Sequence, residues 1–268
     1  MFIRTLKSCI AAAFLGLPSL AVAMDNPVAV TVLEGWRQTD GTHIAAIKLE
    51  LEKGWKTYWR KPGDAGIPPS FDFLGSSNLI DFSVRWPAPV VFDQSGMTSV
   101  GYKDVVILPI KLILKNPNRD VRLRGTIDIG VCKDICLPVT LHVNAKLESD
   151  ETKKSPVIGA ALASVPFTEE EAGVQSAVCR LSMDDGSLVV STTVEMPSAG
   201  GEEYVIIESA NDDHWLSDAQ TSREGNALTS QSALVSLSGG TVAINRSDIR
   251  ITVLGRDHAV DVQGCTGG

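Results

Sequence analysis

Basic residues are in short supply. The 268-residue chain has 24 Lys and Arg against 32 Asp and Glu, a formal net charge of −8. Phosphate backbones are bound by basic faces, so nucleic acid is excluded as a partner. Aromatic residues are thin as well, at 6%, which leaves little for base stacking. No apolar run approaches the roughly 20 residues that a bilayer-spanning helix needs, so no membrane span is expected. What is present is a globular composition. Hydrophobic residues reach 44% and charged residues 21%, enough apolar material for real cores and no case for global disorder. Gly 23 and Pro 13 suggest many turns, as in an all-β chain.

The N-terminus reads as an export signal. Arg4 and Lys7 are a short positive region, Ile10 to Leu17 is apolar up to Pro18, and Ala21-Val22-Ala23 is a small-x-small cleavage site. Cys9 precedes the apolar run, which is the wrong place for a lipoprotein. Removing residues 1–23 takes away two positive charges and no acids, leaving 22 basic against 32 acidic groups. The mature chain is expected to be soluble and periplasmic, where disulfides persist.

Strand signals dominate the rest. In the first half they cover Pro27–Glu34, His43–Glu52, Leu79–Trp86, Val105–Leu114, Asp120–Val131 and Leu137–Leu147. Val121-Arg122-Leu123-Arg124 and Thr126-Ile127-Asp128-Ile129 alternate cleanly, the period of a half-buried strand. Turn chemistry separates the runs at Asp40-Gly41, Lys61-Pro62-Gly63-Asp64, Gly66-Ile67-Pro68-Pro69 and Asn116-Pro117-Asn118. A charged stretch from Glu148 to Pro156 reads as linker, with a short helix over Val157–Ser164 and another solvated stretch at Thr168–Glu171. Strands resume at Ala177–Ser182, Ser187–Glu195, Tyr204–Glu208, Ala233–Leu237, Gly240–Ile244, Ile249–Leu254 and Ala259–Val262. The expected fold is all-β, with two immunoglobulin-like β-sandwich domains in tandem. The division is 1–23 signal peptide, 24–147 first domain, 148–172 linker and 173–268 second domain.

Cleavage leaves Cys132, Cys136, Cys179 and Cys265, which allow three pairings. The close pair and the distant pair fall on opposite sides of the linker, which favours 132–136 with 179–265. Joining the first and last strands of a sandwich, Cys179–Cys265 would be structural. Cys132 and Cys136 sit at a junction of two expected strands. Closing so small a ring adds little chain-entropy stabilisation. Opened and closed reversibly, it suits a thiol carrier: one thiolate attacks a partner disulfide and its neighbour resolves the mixed disulfide. Lys133 would favour a thiolate and Asp134 would oppose it. An inert disulfide is the alternative. A metal is not expected, because zinc wants three or four ligands and no His or third Cys lies nearby in sequence; only His43 and His142 could approach from other strands.

Several segments in order carry a resemblance. They are Gly54-Trp55-Lys56-Thr57-Tyr58-Trp59-Arg60, Pro62-Gly63-Asp64-Ala65-Gly66, Trp86-Pro87-Ala88-Pro89, Gly101-Tyr102, Leu108-Pro109-Ile110 and Gly130-Val131-Cys132-Lys133-Asp134-Ile135-Cys136-Leu137-Pro138. Over residues 27–147 the chain resembles the periplasmic N-terminal domain of the DsbD thiol:disulfide interchange proteins. The three-residue gap between the cysteines is closer to the ScsB branch, and the remainder to Cys265 resembles the second domain of ScsB ectodomains.

The resemblance implies an immunoglobulin-like sandwich with Cys132 and Cys136 as its redox pair and Cys136 as the attacking sulfur. It implies a cap loop at Phe92, Asp93, Gln94, Ser95, Gly96 and Met97. Asp93 matches an acidic active-site residue, a small residue near Ser95 replaces the aromatic cap tip, and Phe92 or Met97 would then do the shielding. Tyr58 matches a tyrosine near the cysteines, though a packed core tyrosine is an equal reading. No cofactor is implied. The implied partners are periplasmic thiol-disulfide proteins, an isomerase or a thioredoxin-like protein. Family members continue into membrane helices and a thioredoxin-like module, which this sequence lacks, so a separate membrane electron transporter is expected. The rival expectation is a non-catalytic binding or chaperone-like module with two structural disulfides.

Overall fold

A computed structural model describes residues 26–63, 66–94, 96–184, 187–240, 242 and 244–268, without the side chain of Gln94. The expected export signal lies outside the described residues, as does Ser95 of the expected cap. Strands form where alternation or apolar runs demand them. In chain order they are β1 (Val28–Arg37), β2 (His43–Leu51), β3 (Lys56–Gly63), β4 (Ser70–Asp72), β5 (Leu79–Val84), β6 (Val90–Gln94), β7 (Met97–Lys103), β8 (Val105–Leu114), β9 (Val121–Cys132) and β10 (Cys136–Leu147). One sheet has the order β1-β2-β8-β5. The other runs β10-β9-β3-β7-β6, with β4 paired to β9. Ile47, Leu49, Ile110 and Leu112 from the first sheet meet Trp59, Leu123, Ile127 and Leu147 from the second, all fully buried. This is a sandwich-like packing of two sheets.

The strand β9 shows how pattern becomes site. Val121, Leu123, Ile127 and Ile129 face the core while Arg122, Arg124 and Asp128 face solvent. The alternation then stops. Ile129, Gly130, Val131 and Cys132 are all buried, so at its end the strand is covered on both faces.

Beyond β10 come α1 (Pro156–Ala163), β11 (Phe167–Thr168), β12 (Ser176–Asp184), β13 (Ser187–Glu195), β14 (Tyr204–Ser209), β15 (His214–Leu216), β16 (Gln220–Glu224), β17 (Ala227–Ser236), β18 (Ile249–Leu254), β19 (Ala259–Gln263) and β20 (Thr266–Gly267). They build sheets ordered β11-β19-β18-β14 and β15-β17-β13-β12-β20, with β16 on β17. Val190, Met196, Ile207, Leu216, Ile251 and Val260 fill a second core. Parallel pairing of β12 with β20 sets Cys179 opposite Gly267. It brings Cys179 and Cys265 into a disulfide across 86 residues of chain, a loop whose closure contributes roughly 2–4 kcal/mol.

Two expectations fail. Lys61-Pro62-Gly63, read as a turn, is the end of β3. Pairing with β7 jumps from Tyr58↔Gly101 to Gly63↔Ser99, and inside that irregularity Pro62 needs no ladder hydrogen bond. Gly240–Ile244, read as a strand, forms none among its described residues. The preceding strand, expected over Ala233–Leu237, is β17, which starts earlier, at Ala227, and ends at Ser236.

The charged stretch after β10 lies along the first pair of sheets. Arg37 N donates to the Glu151 carbonyl at 2.7 Å and Ser149 N to Asp120 Oδ1 at 2.9 Å. The helix α1 opens on Pro156 at its first turn, with Ser155 Oγ capping Ile158 N. It buries Ile158 against Trp36, Ile44 and Ala46.

Beside this small core lies a buried histidine. The His43 ring is fully buried, and its Nε2–H donates to the Glu34 carbonyl at 2.6 Å. Its Nδ1 has no hydrogen-bond partner among the described residues. Burial, and secondarily the Arg37 guanidinium, push its pKa down. The unfolded chain takes a proton on this ring near pH 6.5 and the folded chain does not until lower pH. The stabilisation is therefore complete above about pH 6.5 and is lost as pH falls toward the lowered folded value. Urea midpoints at pH 7 and pH 5 should show a larger acid loss for the native chain than for His43→Gln.

Candidate redox site

The last rung of the β9–β10 ladder pairs Cys132 with Cys136. Their Cα atoms are 4.2 Å apart and the sulfurs are bonded. Between them Lys133, Asp134 and Ile135 form an exposed tip, closed by Lys133 N donating to the Ile135 carbonyl at 3.1 Å. The two sulfurs have unlike surroundings. Cys132 is fully buried, whereas Cys136 is exposed.

The strand β3 supplies the cover over Cys132. Thr57 and Trp59 point into the sandwich, with Thr57 Oγ1 donating to the Gly130 carbonyl at 2.9 Å. Lys56 and Tyr58 therefore point to the opposite face. The Tyr58 hydroxyl lies 2.8 Å from Cys132 Sγ and 3.4 Å from Cys136 Sγ. Gly130 makes room for that ring: a Cβ there would lie 3.0 Å from Tyr58 Cδ2 and 2.7 Å from Ile67 Cβ. Burial pushes the Tyr58 phenol up, so at neutral pH its O–H remains a donor to sulfur. A hydrogen bond to a charged acceptor is worth about 1.5–3 kcal/mol. Tyr58→Phe should therefore slow reduction of the disulfide by dithiothreitol at least about tenfold, read from stopped-flow or quenched time courses.

The expected cap is a hairpin of β6 and β7, with Phe92 opposite Ser99, Asp93 opposite Thr98 and Gln94 opposite Met97. Phe92 is half-buried and faces Lys56, whose ammonium is 5.0 Å from the ring centroid. Met97 is half exposed. Asp93 is exposed, and its Oδ1 accepts from Gly96 N at 3.3 Å, across a turn in which Gly96 has φ 81°. The structure thus brings Tyr58 to the sulfurs and Phe92 to a neighbour of Cys132, while Asp93 braces the cap's own turn. The sequence alone gives Lys56, within Gly54–Arg60, no role of its own. Its signal is the period of β3, which puts residues 56 and 58 on one face.

His43 sits in the other sheet, and His142 on β10 pairs with Thr126 on β9. Among the described residues no group of three or more His, Cys, Asp or Glu is placed to hold a metal. Nor is any helix among them long and apolar enough to cross a membrane.

A buried sulfur with a hydroxyl donor, bonded to an exposed one at a hairpin end, is an arrangement suited to thiol–disulfide chemistry. The model of the family described as "Thiol:disulfide interchange protein DsbD, N-terminal" matches residues 29–147, from the second residue of β1 to the end of β10. Over that span, rather less than half of the chain, the protein is homologous at the level of a domain to the DsbD N-terminal family. The solved N-terminal periplasmic domain of ScsB from Proteus mirabilis is similar over a longer span. It shares the fold at a TM-score of 0.68 and 19% identity, covering 92% of this chain and 96% of that one. No curated protein matches. This homology supports a thiol-disulfide, redox-related domain over residues 29–147 and a periplasmic location.

Proposed function

We propose that the Cys132/Cys136 pair cycles between disulfide and dithiol, and that its dithiol form passes reducing equivalents to oxidised protein partners. The observation that carries this reading is the contrast between the exposed Cys136 and the buried Cys132 beside Tyr58. Cys136 Sγ is the atom a partner sulfur can reach, so it attacks a partner disulfide. Cys132 then resolves the mixed disulfide, releasing the partner as a dithiol and closing the 132–136 bond. Ile135, exposed at the tip between the cysteines, is part of the surface a partner meets. The partners are periplasmic thiol-disulfide proteins, an isomerase or a thioredoxin-like protein. Electrons arrive from a membrane electron transporter. The activity is that of a protein-disulfide reductase component. The two sandwich-like halves are read as immunoglobulin-like domains, 24–147 and 173–268, joined by 148–172.

Equilibration in glutathione buffers of graded poise, followed by alkylation and mass spectrometry, tests this. Cys132 and Cys136 are expected to label at poises where Cys179 and Cys265 remain bonded. Equal resistance of both bonds would leave a binding or chaperone-like module with two structural disulfides.

A further inference from the structure

The thiol chemistry proposed above makes Cys132 the leaving sulfur whenever a donor reduces the pair. An incoming thiolate bonds to Cys136 Sγ, the Cys132–Cys136 bond breaks, and its electron pair goes to Cys132 Sγ as a thiolate. A second thiol of the same donor then attacks the mixed disulfide. The donor leaves as a disulfide, and Cys136 leaves as the second sulfur of the dithiol. The negative charge on Cys132 forms at a fully buried position, where an isolated anion is costly. The Tyr58 hydroxyl meets part of that cost but carries no charge.

A cation stands across the ladder. Lys56 on β3 pairs directly with Cys132 on β9, which puts both side chains on one face. The Lys56 stem is half-buried under the cap. Its ammonium donates to Ser99 Oγ at 3.0 Å and sits over the Phe92 ring. Neither contact neutralises it: Ser99 is a neutral hydroxyl and Phe92 offers only its π face. Other charges near the pair are placed differently. Lys133 and Asp134 are exposed at the tip, where solvent screens them. Lys103 pairs with Lys56 from β7 and is exposed. Asp93 is exposed and accepts from Gly96 N. Arg60, two residues beyond Tyr58, is paired with Glu208.

We infer that Lys56 is a positioning cation that stabilises the Cys132 thiolate, held beside it by Ser99 and Phe92 of the cap. The inference deepens the exchange reading and concerns the same site. It makes Cys132 the better leaving group of the pair, because exchange is faster when the departing thiol has the lower pKa. Desolvation, which lowers the Lys56 pKa, leaves its ammonium less shielded by water than the cations at the tip.

The test isolates Cys132 in a Cys136→Ser chain and follows thiolate absorbance at 240 nm against pH. The double variant Cys132→Ser/Cys136→Ser serves as baseline, so other titrating groups cancel. Adding Lys56→Met should raise the Cys132 titration midpoint by about one pH unit, a tenfold loss of thiolate at a given pH below it. Lys56→Arg should keep the midpoint near that of the Lys56 chain, which a merely structural role for the lysine stem would not require. An unmoved midpoint in Lys56→Met overturns the inference. So does an equal shift in Lys56→Met and Lys56→Arg. Because this titration needs no partner and no redox cycle, it can fail while exchange with proteins stands, or succeed while exchange fails.

Discussion

A Cys136→Ser chain is expected to lose thiol–disulfide exchange entirely, while Cys132→Ser is expected to accumulate as a mixed disulfide with its partner. The asymmetry follows from burial. Cys136 is exposed and Cys132 is not, so with Cys136 gone the remaining sulfur lies under Tyr58 and cannot be approached in line. With Cys132 gone the accessible sulfur still attacks, but nothing resolves the product. Periplasmic extracts run on non-reducing gels should show a higher-mass, reductant-sensitive adduct for Cys132→Ser and none for Cys136→Ser. The reverse pattern would exchange the roles of the two sulfurs. Adducts in neither would remove the case for a carrier, since an attack-competent cysteine without a resolving partner has no route to release.

Much of the sandwich was legible because its physics is local. Val105–Leu114, Ser187–Glu195 and Ile249–Leu254 coincide with the observed strands, since apolar runs and alternation of that length bury well only as strands. The cysteine pairing was legible too, because chain order and topology agree: β12 and β20 lie side by side. Other features were hidden for equally physical reasons. The strands β6 and β7 carry the cap, yet Val90, Val91 and Met97 are exposed, so their sequence lacks the burial pattern that marks a strand. The β3 irregularity was masked by Pro62-Gly63, which reads as turn chemistry although the chain stays extended. Lys56 was overlooked because its importance comes from a cross-strand neighbour 76 positions away at Cys132, a relation no local window contains. Lys133 stands out in the sequence instead only because it adjoins the cysteine.

The β3 irregularity has a second consequence, at the contact between the two halves. Where the ladder breaks, Arg60 and Lys61 reach across to the second pair of sheets. Arg60 Nε and Nη2 donate to Glu208 at 3.0 and 2.9 Å, and Nη2 also donates to Thr252 Oγ1 at 3.0 Å. Its guanidinium lies 3.8 Å from Asp261, which Arg250 also binds. Lys61 Nζ donates to the Leu216 carbonyl at 3.0 Å. Ile206, Leu254 and Ala259 pack with the first core alongside. The Arg60 and Glu208 side chains are only 12% and 15% exposed, so the pair is largely desolvated. Burial lowers the Arg60 pKa and Glu208 raises it in return. Removing one partner of such a pair leaves the other charge buried and costs roughly 3–5 kcal/mol. Glu208→Ala should therefore separate one cooperative unfolding transition into two, with the loss carried by contact between the halves and each core still folded. Arg60→Met/Glu208→Ala should recover part of that loss, because no orphaned charge remains. Calorimetry distinguishes the outcomes: a single unshifted transition in Glu208→Ala would mean that Asp261 alone holds Arg60 and that the halves are joined chiefly by apolar packing. Because Arg60 is two residues from Tyr58 on the same strand, reduction kinetics of the Cys132–Cys136 bond in Glu208→Ala would also report whether the second pair of sheets steadies the strand that covers the buried sulfur.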